Sequence, residues 1–230
     1  MSVDDVNVVL VHGAWADGSS WSKVIGLLRT AGVKALAPSL PLTSLADDVA
    51  ALDIALERIE GPVVLVGHAY AGALIAATRS VQVRSLVYIA ALAPDHGETV
   101  ADVFYRATPH AAAPKLAPDA HGLIRLPDEA FATAFAQHAS ADEQALLAAV
   151  QRPISVRCIT AGVERPLWKD RPRWYLVAED DRMIDPATQR FMAARMKARV
   201  HSHPVDHAPS ITAPGLVADL ILAAIRGMDM

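Results

Sequence analysis

The sequence has a single cysteine, Cys158, in 230 residues. An internal disulfide is therefore excluded, and no cysteine–histidine cluster has the spacing of a zinc site. No uninterrupted apolar run approaches the roughly 20 residues that a membrane span needs, although 53% of the residues are hydrophobic. The chain opens MSVDDVNVVLVHG, with two acids and no basic segment ahead of its first apolar run, which does not read as a signal peptide. Neither sign of charge dominates: the net charge is −4, the pI is near 6.1, and acids and bases are mixed along the chain. That argues against a nucleic-acid partner or a polybasic membrane surface. The chain also lacks a G-x-x-x-x-G-K-[ST] phosphate loop, long internal repeats and a low-complexity linker. What is expected is a cytoplasmic protein of one structural domain with no cofactor and no metal, its oligomeric state left open, a homodimer included.

What the chain does have is alternation. Val6–Val11 is a short β-branched run ended by His12-Gly13, as a strand buried on both faces should be. A helix over Trp21–Ala31 follows, stopped by Gly32, then a strand at Val33–Ala37 closed by Pro38. Ser44 with Asp47 resembles a capping box and opens a helix over about Leu45–Arg58. Strands are expected at Val63–Val66, Ser85–Ala90, Trp174–Val177 and Arg199–Pro204. Helices are expected from about Ala71, at Pro186–Met196 and at Pro214–Arg226. Strand–helix alternation predicts an α/β fold, a parallel sheet with helices on both faces. Residues 94–173 interrupt it without a convincing buried strand, and carry helical patterns over Asp128–Gln137 and Ala141–Val150. They read as a helical cap over the carboxyl edge of the sheet, with residues 1–93 and 174–230 forming the core.

Four segments carry chemistry. Val64-Leu-Val-Gly-His-Ala-Tyr-Ala-Gly72 is a buried strand, a sharp turn and the small residues of a helix start. That is the context of the G-x-S-x-G nucleophile elbow, but its apex is Ala69, which has no nucleophilic atom. His12-Gly13-Ala14-Trp15 follows the first strand, and two amides, of Ala14 and Tyr70, are assigned to an oxyanion hole. His12 itself is read as structural. Past a later strand, Val177-Ala-Glu-Asp-Asp-Arg182 offers an acid; Asp180 and Asp181 compete, while Asp185 before Pro186 is a helix N-cap. Finally, Asp206-His207 precedes the last helix, so the order elbow, acid, histidine is the order of a Ser–Asp–His triad. Trp15, Phe104 and Trp168 are the candidates for an apolar substrate pocket.

These segments make the chain similar to the α/β-hydrolase superfamily from about residue 6 to residue 226. More narrowly, it resembles small bacterial serine hydrolases related to plant methyl esterases and hydroxynitrile lyases. The resemblance rests on VHGAWADGSSW, PLTSLADDVAAL, VVLVGH-x-YAG, AALAPDHGET, WYLVAEDDRMIDPATQRFMA and DHAPSITAP. It implies an α/β-hydrolase fold under a helical cap, places the triad acid on Asp181 ahead of the PxxQ segment, and places the histidine on His207. It implies a serine where Ala69 stands. The activity so implied is carboxylic-ester hydrolysis on a small-molecule substrate through an acyl-enzyme, with this Ala69 form nearly inert and still able to bind. Two other readings stand beside it: a non-catalytic small-molecule binding protein, and a lyase-type reaction with His207 as base. An aspartate nucleophile is excluded, because position 69 is not an acid.

Overall fold

Valine crowds a helix but suits a pleated surface, and the valine-rich runs become the centre of the sheet. The computed structural model describes residues 6–229; Asp4 and Asp5, on which the signal-peptide expectation rests, lie outside them. In chain order the first part comprises β1 (Asn7–Val11), α1 (Ser22–Thr30), β2 (Lys34–Leu36), α2 (Leu45–Glu57), β3 (Val63–His68), α3 (Ala71–Ala77) and β4 (Val83–Ile89). The middle holds α4 (Val100–Phe104), β5 (Leu123–Ile124), α5 (Asp128–Ala130), α6 (Ala141–Val150), β6 (Ile154–Ser155) and α7 (Val156–Ile159). The chain closes with β7 (Arg173–Ala178), α8 (Pro186–Arg195), β8 (Arg199–His203), α9 (Pro209–Thr212) and α10 (Pro214–Arg226).

The main sheet has six strands in the order β2-β1-β3-β4-β7-β8, and every pairing is parallel. Side chains alternate between its faces. Val8, Leu10, Val64 and Val66 pack under α1 and α10 on one face, while Val9, Val11, Val63 and Leu65 pack under α2 and α3 on the other. Each such side chain stabilises by about 1.5–3 kcal/mol on burial. The chain runs from β1 outward to β2, then crosses back to β3 on the far side of β1. The loops leaving β1 and β3 therefore diverge, which opens a crevice at the carboxyl ends of two adjacent strands. Val11 pairs with Gly67 there, so the loop His12–Trp15 and the turn at Ala69 start side by side.

The expected helices and strands of the core are present, with ends displaced by a residue or two. Three details differ. Residues 94–173 do contain strands: β5 and β6 form a two-stranded antiparallel pair apart from the main sheet, too short to leave a periodic trace. The helix expected over Asp128–Gln137 is one α turn followed by a π-helical turn, Phe131–Phe135. The Ala136 amide donates to the Phe131 carbonyl, and this wider turn keeps both phenylalanines buried. At α2, Ser44 caps the Asp47 amide, but the short Asp47 side chain takes the Thr43 hydroxyl at 2.7 Å, so only half a capping box forms. The Ser140–Glu143 capping box of α6 is complete. Among the described residues, no helix is long and apolar enough to cross a membrane.

Candidate active site

The turn after β3 is strained. Ala69 has φ +50°, a left-handed conformation that costs a non-glycine residue about 1–3 kcal/mol. The surroundings impose it: the Ala69 amide donates to the Ile89 carbonyl at 3.2 Å, and its carbonyl accepts from Gly72 at 3.1 Å and Leu92 at 2.9 Å. Close packing demands the small neighbours. A Cβ on Gly67 would stand 2.9 Å from the Ala71 oxygen, and one on Gly72 only 2.1 Å from the Leu92 oxygen. Because strain at residue 69 is relieved by removing Cβ, Ala69→Gly is expected to stabilise by about 1 kcal/mol. In a chain of this length that raises Tm by roughly 2–4 °C, measurable by calorimetry.

Ala69 shares a peptide unit with the Tyr70 amide. With the Ala69 carbonyl held by two donors, the N–H on the opposite side of that unit is fixed too. Among the described residues neither the Tyr70 amide nor the Ala14 amide donates to any acceptor, whereas buried amides are nearly always paired. Trp15, at φ +59°, turns the β1 loop sharply just after Ala14, and its indole N–H donates to the Ile124 carbonyl at 2.9 Å. His12 has the structural part expected of it. Its Nδ1–H donates to the Gly13 carbonyl at 2.9 Å and its Nε2 accepts from the Leu40 amide at 3.4 Å.

His207 and Asp181 meet. The His207 Nδ1–H donates to Asp181 Oδ2 at 2.8 Å, and both residues are buried. Asp181 Oδ1 accepts the Met183 and Ile184 amides at 2.7 and 2.9 Å, and Oδ2 also accepts Gln189 Nε2–H at 2.7 Å. Four donors thus surround this carboxylate and fix its orientation. Asp180 is half exposed beside His138, and Asp185 caps α8 through the Ala187 amide. The choice between the two adjacent acids comes from burial, which no local pattern records.

One pocket gathers Ala14, Trp15, Ala69, Tyr70 and His207, together with Phe104, Leu116, Ile124, Ile154 and Met183, around about 610 Å³ of empty space, mouth included. Of the expected pocket residues, Trp15 and Phe104 line it and Trp168 does not. The Trp168 indole N–H needs an acceptor when buried, and it finds the Pro94 carbonyl at 3.2 Å, with Arg195 over its ring. Phe135 packs against His207 at 5.1 Å between ring centroids without lining the pocket. Among the described residues no cluster of three or more histidine, cysteine or acidic side chains is arranged to hold a metal ion.

Three supporting residues escape the motif reading. Gln189, the last letter of PxxQ, bridges Asp181 and the Ala178 amide. Asp206 accepts from the Ala208 amide, the Thr212 hydroxyl and the His138 amide, which fixes the loop that carries His207. His68, inside the elbow motif, donates Nε2–H to the His207 carbonyl at 2.6 Å. Burial, then the neighbouring His207, lowers the His68 pKa from 6.5 to about 3. Between those values the unfolded chain holds a proton that the folded one excludes, so stability is lost as pH falls through this window. The slope for one such site is about 1.4 kcal/mol per pH unit. Urea unfolding of His68→Gln is therefore expected to show a flatter decline than the parent between pH 6.5 and 4.5.

Residues 8–220 match the alpha/beta hydrolase family. A carbendazim-hydrolysing esterase of Nocardioides sp. strain SG-4G is 32% identical over 118 residues, 45% of this chain. That match spans 49% of the esterase, about half its length. Among solved structures, a pyrethroid hydrolase from Sphingobium faniae JZ-2 aligns with a TM-score of 0.81 at 22% identity, over 96% of this chain and 98% of that one. A methylesterase from Arabidopsis aligns with a TM-score of 0.78 at 18% identity, over 96% and 99%. At these identities the structural likeness speaks for the fold alone, and the six-stranded sheet agrees with it. With the family match running from β1 into α10, the chain belongs to the alpha/beta hydrolase family.

Proposed function

We propose that this site is built to hydrolyse carboxylic esters through an acyl-enzyme, and that the Ala69 chain binds such esters with almost no turnover. The observation that carries the reading is one pocket shared by the Asp181-paired His207, two unpaired amides and a strained residue 69. Strain at a position that makes no other use of it is characteristic of a reacting centre. The similar proteins named above include an esterase, a pyrethroid hydrolase and a methylesterase, which agrees with ester chemistry.

With a hydroxyl at position 69, His207 Nε2 takes its proton as the oxygen attacks the ester carbonyl carbon. Asp181 keeps the other ring proton on Nδ1 and stabilises the imidazolium that forms. The Ala14 and Tyr70 amides receive the negative charge on the former carbonyl oxygen. His207 then returns the proton to the departing alkoxide; water, deprotonated by the same imidazole, attacks the acyl carbon, the bond to the residue-69 oxygen breaks, and the imidazolium returns the proton to that oxygen as the acid leaves. In the chain as it stands there is no oxygen to attack, while the amides and the apolar wall that hold the ester are intact.

The wall is almost wholly aliphatic and aromatic, which favours an uncharged, apolar acyl or alcohol group. Residues 94–173 act here as a cap, since Phe104, Leu116, Ile124 and Ile154 close the pocket from that segment. The test is Ala69→Ser assayed on short- and medium-chain aryl esters. A large gain in rate supports the reading, and an unchanged rate on every ester overturns it and leaves the binding and lyase readings.

A further inference from the structure

Among the described residues, a buried carboxylate other than Asp181 and the loop-fixing Asp206 lies in α2. Asp48, in the first turns of α2, is 0% exposed, while Asp47 beside it is exposed and takes the Thr43 hydroxyl. Burying an acid is costly unless donors surround it. Asp48 Oδ1 accepts the Leu42 amide at 2.7 Å, and Oδ2 accepts the Tyr70 hydroxyl at 2.8 Å and the Cys158 thiol at 3.6 Å. No lysine, arginine or histidine pairs with it among the described residues.

Each of its three partners leads to the pocket. Tyr70 lines it and carries one of the two free amides. Leu42 is held at φ +59°, and its carbonyl accepts the Ser155 amide at 2.9 Å, next to the pocket residue Ile154. Cys158 adjoins the pocket residue Ile159. The Tyr70 peptide unit is held by the bonds to the Ala69 carbonyl, the Tyr70 carbonyl accepts the Ala73 amide at 3.1 Å, and the side chain supplies a third anchor. Asp48 accepts from that hydroxyl, and the Cys158 thiol lies beside both groups.

We infer that Asp48 is a positioning residue: by holding the Tyr70 hydroxyl it adds a side-chain anchor to the residue whose amide is unpaired, and it ties that amide to the cap-side wall of the pocket. The inference rests on the ester-hydrolysis reading for its kinetic consequence, though not for the coupling itself. A group misplaced by about 1 Å costs roughly 10²-fold in rate. In the Ala69→Ser chain, Tyr70→Phe, which deletes only the hydroxyl, is expected to lower kcat by about 10- to 100-fold with KM within about twofold. Asp48→Asn, which keeps the shape and one acceptor, should fall between parent and Tyr70→Phe. The double variant should be no worse than Tyr70→Phe alone. A purely structural Asp48 would instead lower Tm and leave kcat of the folded fraction unchanged, as would a Tyr70→Phe chain within twofold of the parent; either result overturns the inference. A separate measurement uses the unaltered Ala69 chain. Asp48→Asn should displace the Tyr70 amide cross-peak in a ¹H–¹⁵N spectrum, and an unmoved peak overturns the inference whatever the ester assay gives. If Ala69→Ser hydrolyses no ester, the functional reading falls, and this spectrum alone decides the coupling.

Discussion

Ala69→Ser is expected to raise the rate of aryl-ester hydrolysis by several orders of magnitude, up to about 10⁶-fold, with little change in the affinity for substrate. The size follows from what a nucleophile contributes: its removal from a comparable serine enzyme costs roughly 10⁶ in kcat, and about 10³–10⁴ over water survives through binding and the oxyanion donors. The substitution adds one oxygen to a residue whose backbone already has the left-handed φ of +50°, so no main-chain rearrangement is needed to aim it. The pocket that receives it already contains His207, Ala14 and Tyr70. Burst kinetics with a chromogenic ester provide the decisive measurement, because a burst equal to the enzyme concentration reports the acyl-enzyme itself. Turnover without any covalent intermediate would refute the mechanism even if esters were cleaved.

In that serine-containing chain, His207→Ala is expected to abolish nearly all of the gain, and Asp181→Asn to remove about 10⁴-fold of it. The difference has a structural cause. In the proposed mechanism His207 is the base, so its loss leaves the hydroxyl protonated. Asp181 acts through the imidazole, by accepting Nδ1–H at 2.8 Å so that Nε2 is the free nitrogen. An asparagine amide turned toward His207 would donate, favouring the wrong tautomer, and would also oppose the donating Gln189 Nε2–H. Its oxygen can still accept the Met183 and Ile184 amides, so the loop should stay folded. Combining the two substitutions should cost no more than His207→Ala alone, because the residues act as one unit. Rates that multiply independently in the double variant would contradict the assignment; far-UV circular dichroism and Tm serve as the folding control.

Local chemistry was enough to find most of this architecture. Valine runs ended by glycine or proline mark β1 and β3, and the Ser140–Glu143 box marks the start of α6 at its residue. The elbow could be read at Ala69 although alanine carries no nucleophilic atom, since Gly67 and Gly72 record how closely backbone must approach backbone there. The pocket was less legible. Trp168 looked equivalent to Phe104, but one found a carbonyl partner in the core and the other a place on the cavity wall. Short elements such as β5, β6, α4 and α7 carry too few residues to establish a period.

By itself, the order of segments in this chain determined an alternating α/β fold, the elbow turn, and a histidine ahead of the last helix, because strand, turn and cap preferences are written over a few consecutive residues. Residue chemistry leaves Asp180 and Asp181 open and family resemblance favours Asp181; the tertiary structure buries Asp181, leaves Asp180 half exposed and brings the Asp181 carboxylate to His207. It alone drew His68, Gln189 and Asp48 into the support of the site. Burial and hydrogen-bond partnership across 26 residues or 139 depend on where β3, β7 and the loop after β8 end in the sheet, and no stretch of neighbouring letters encodes that.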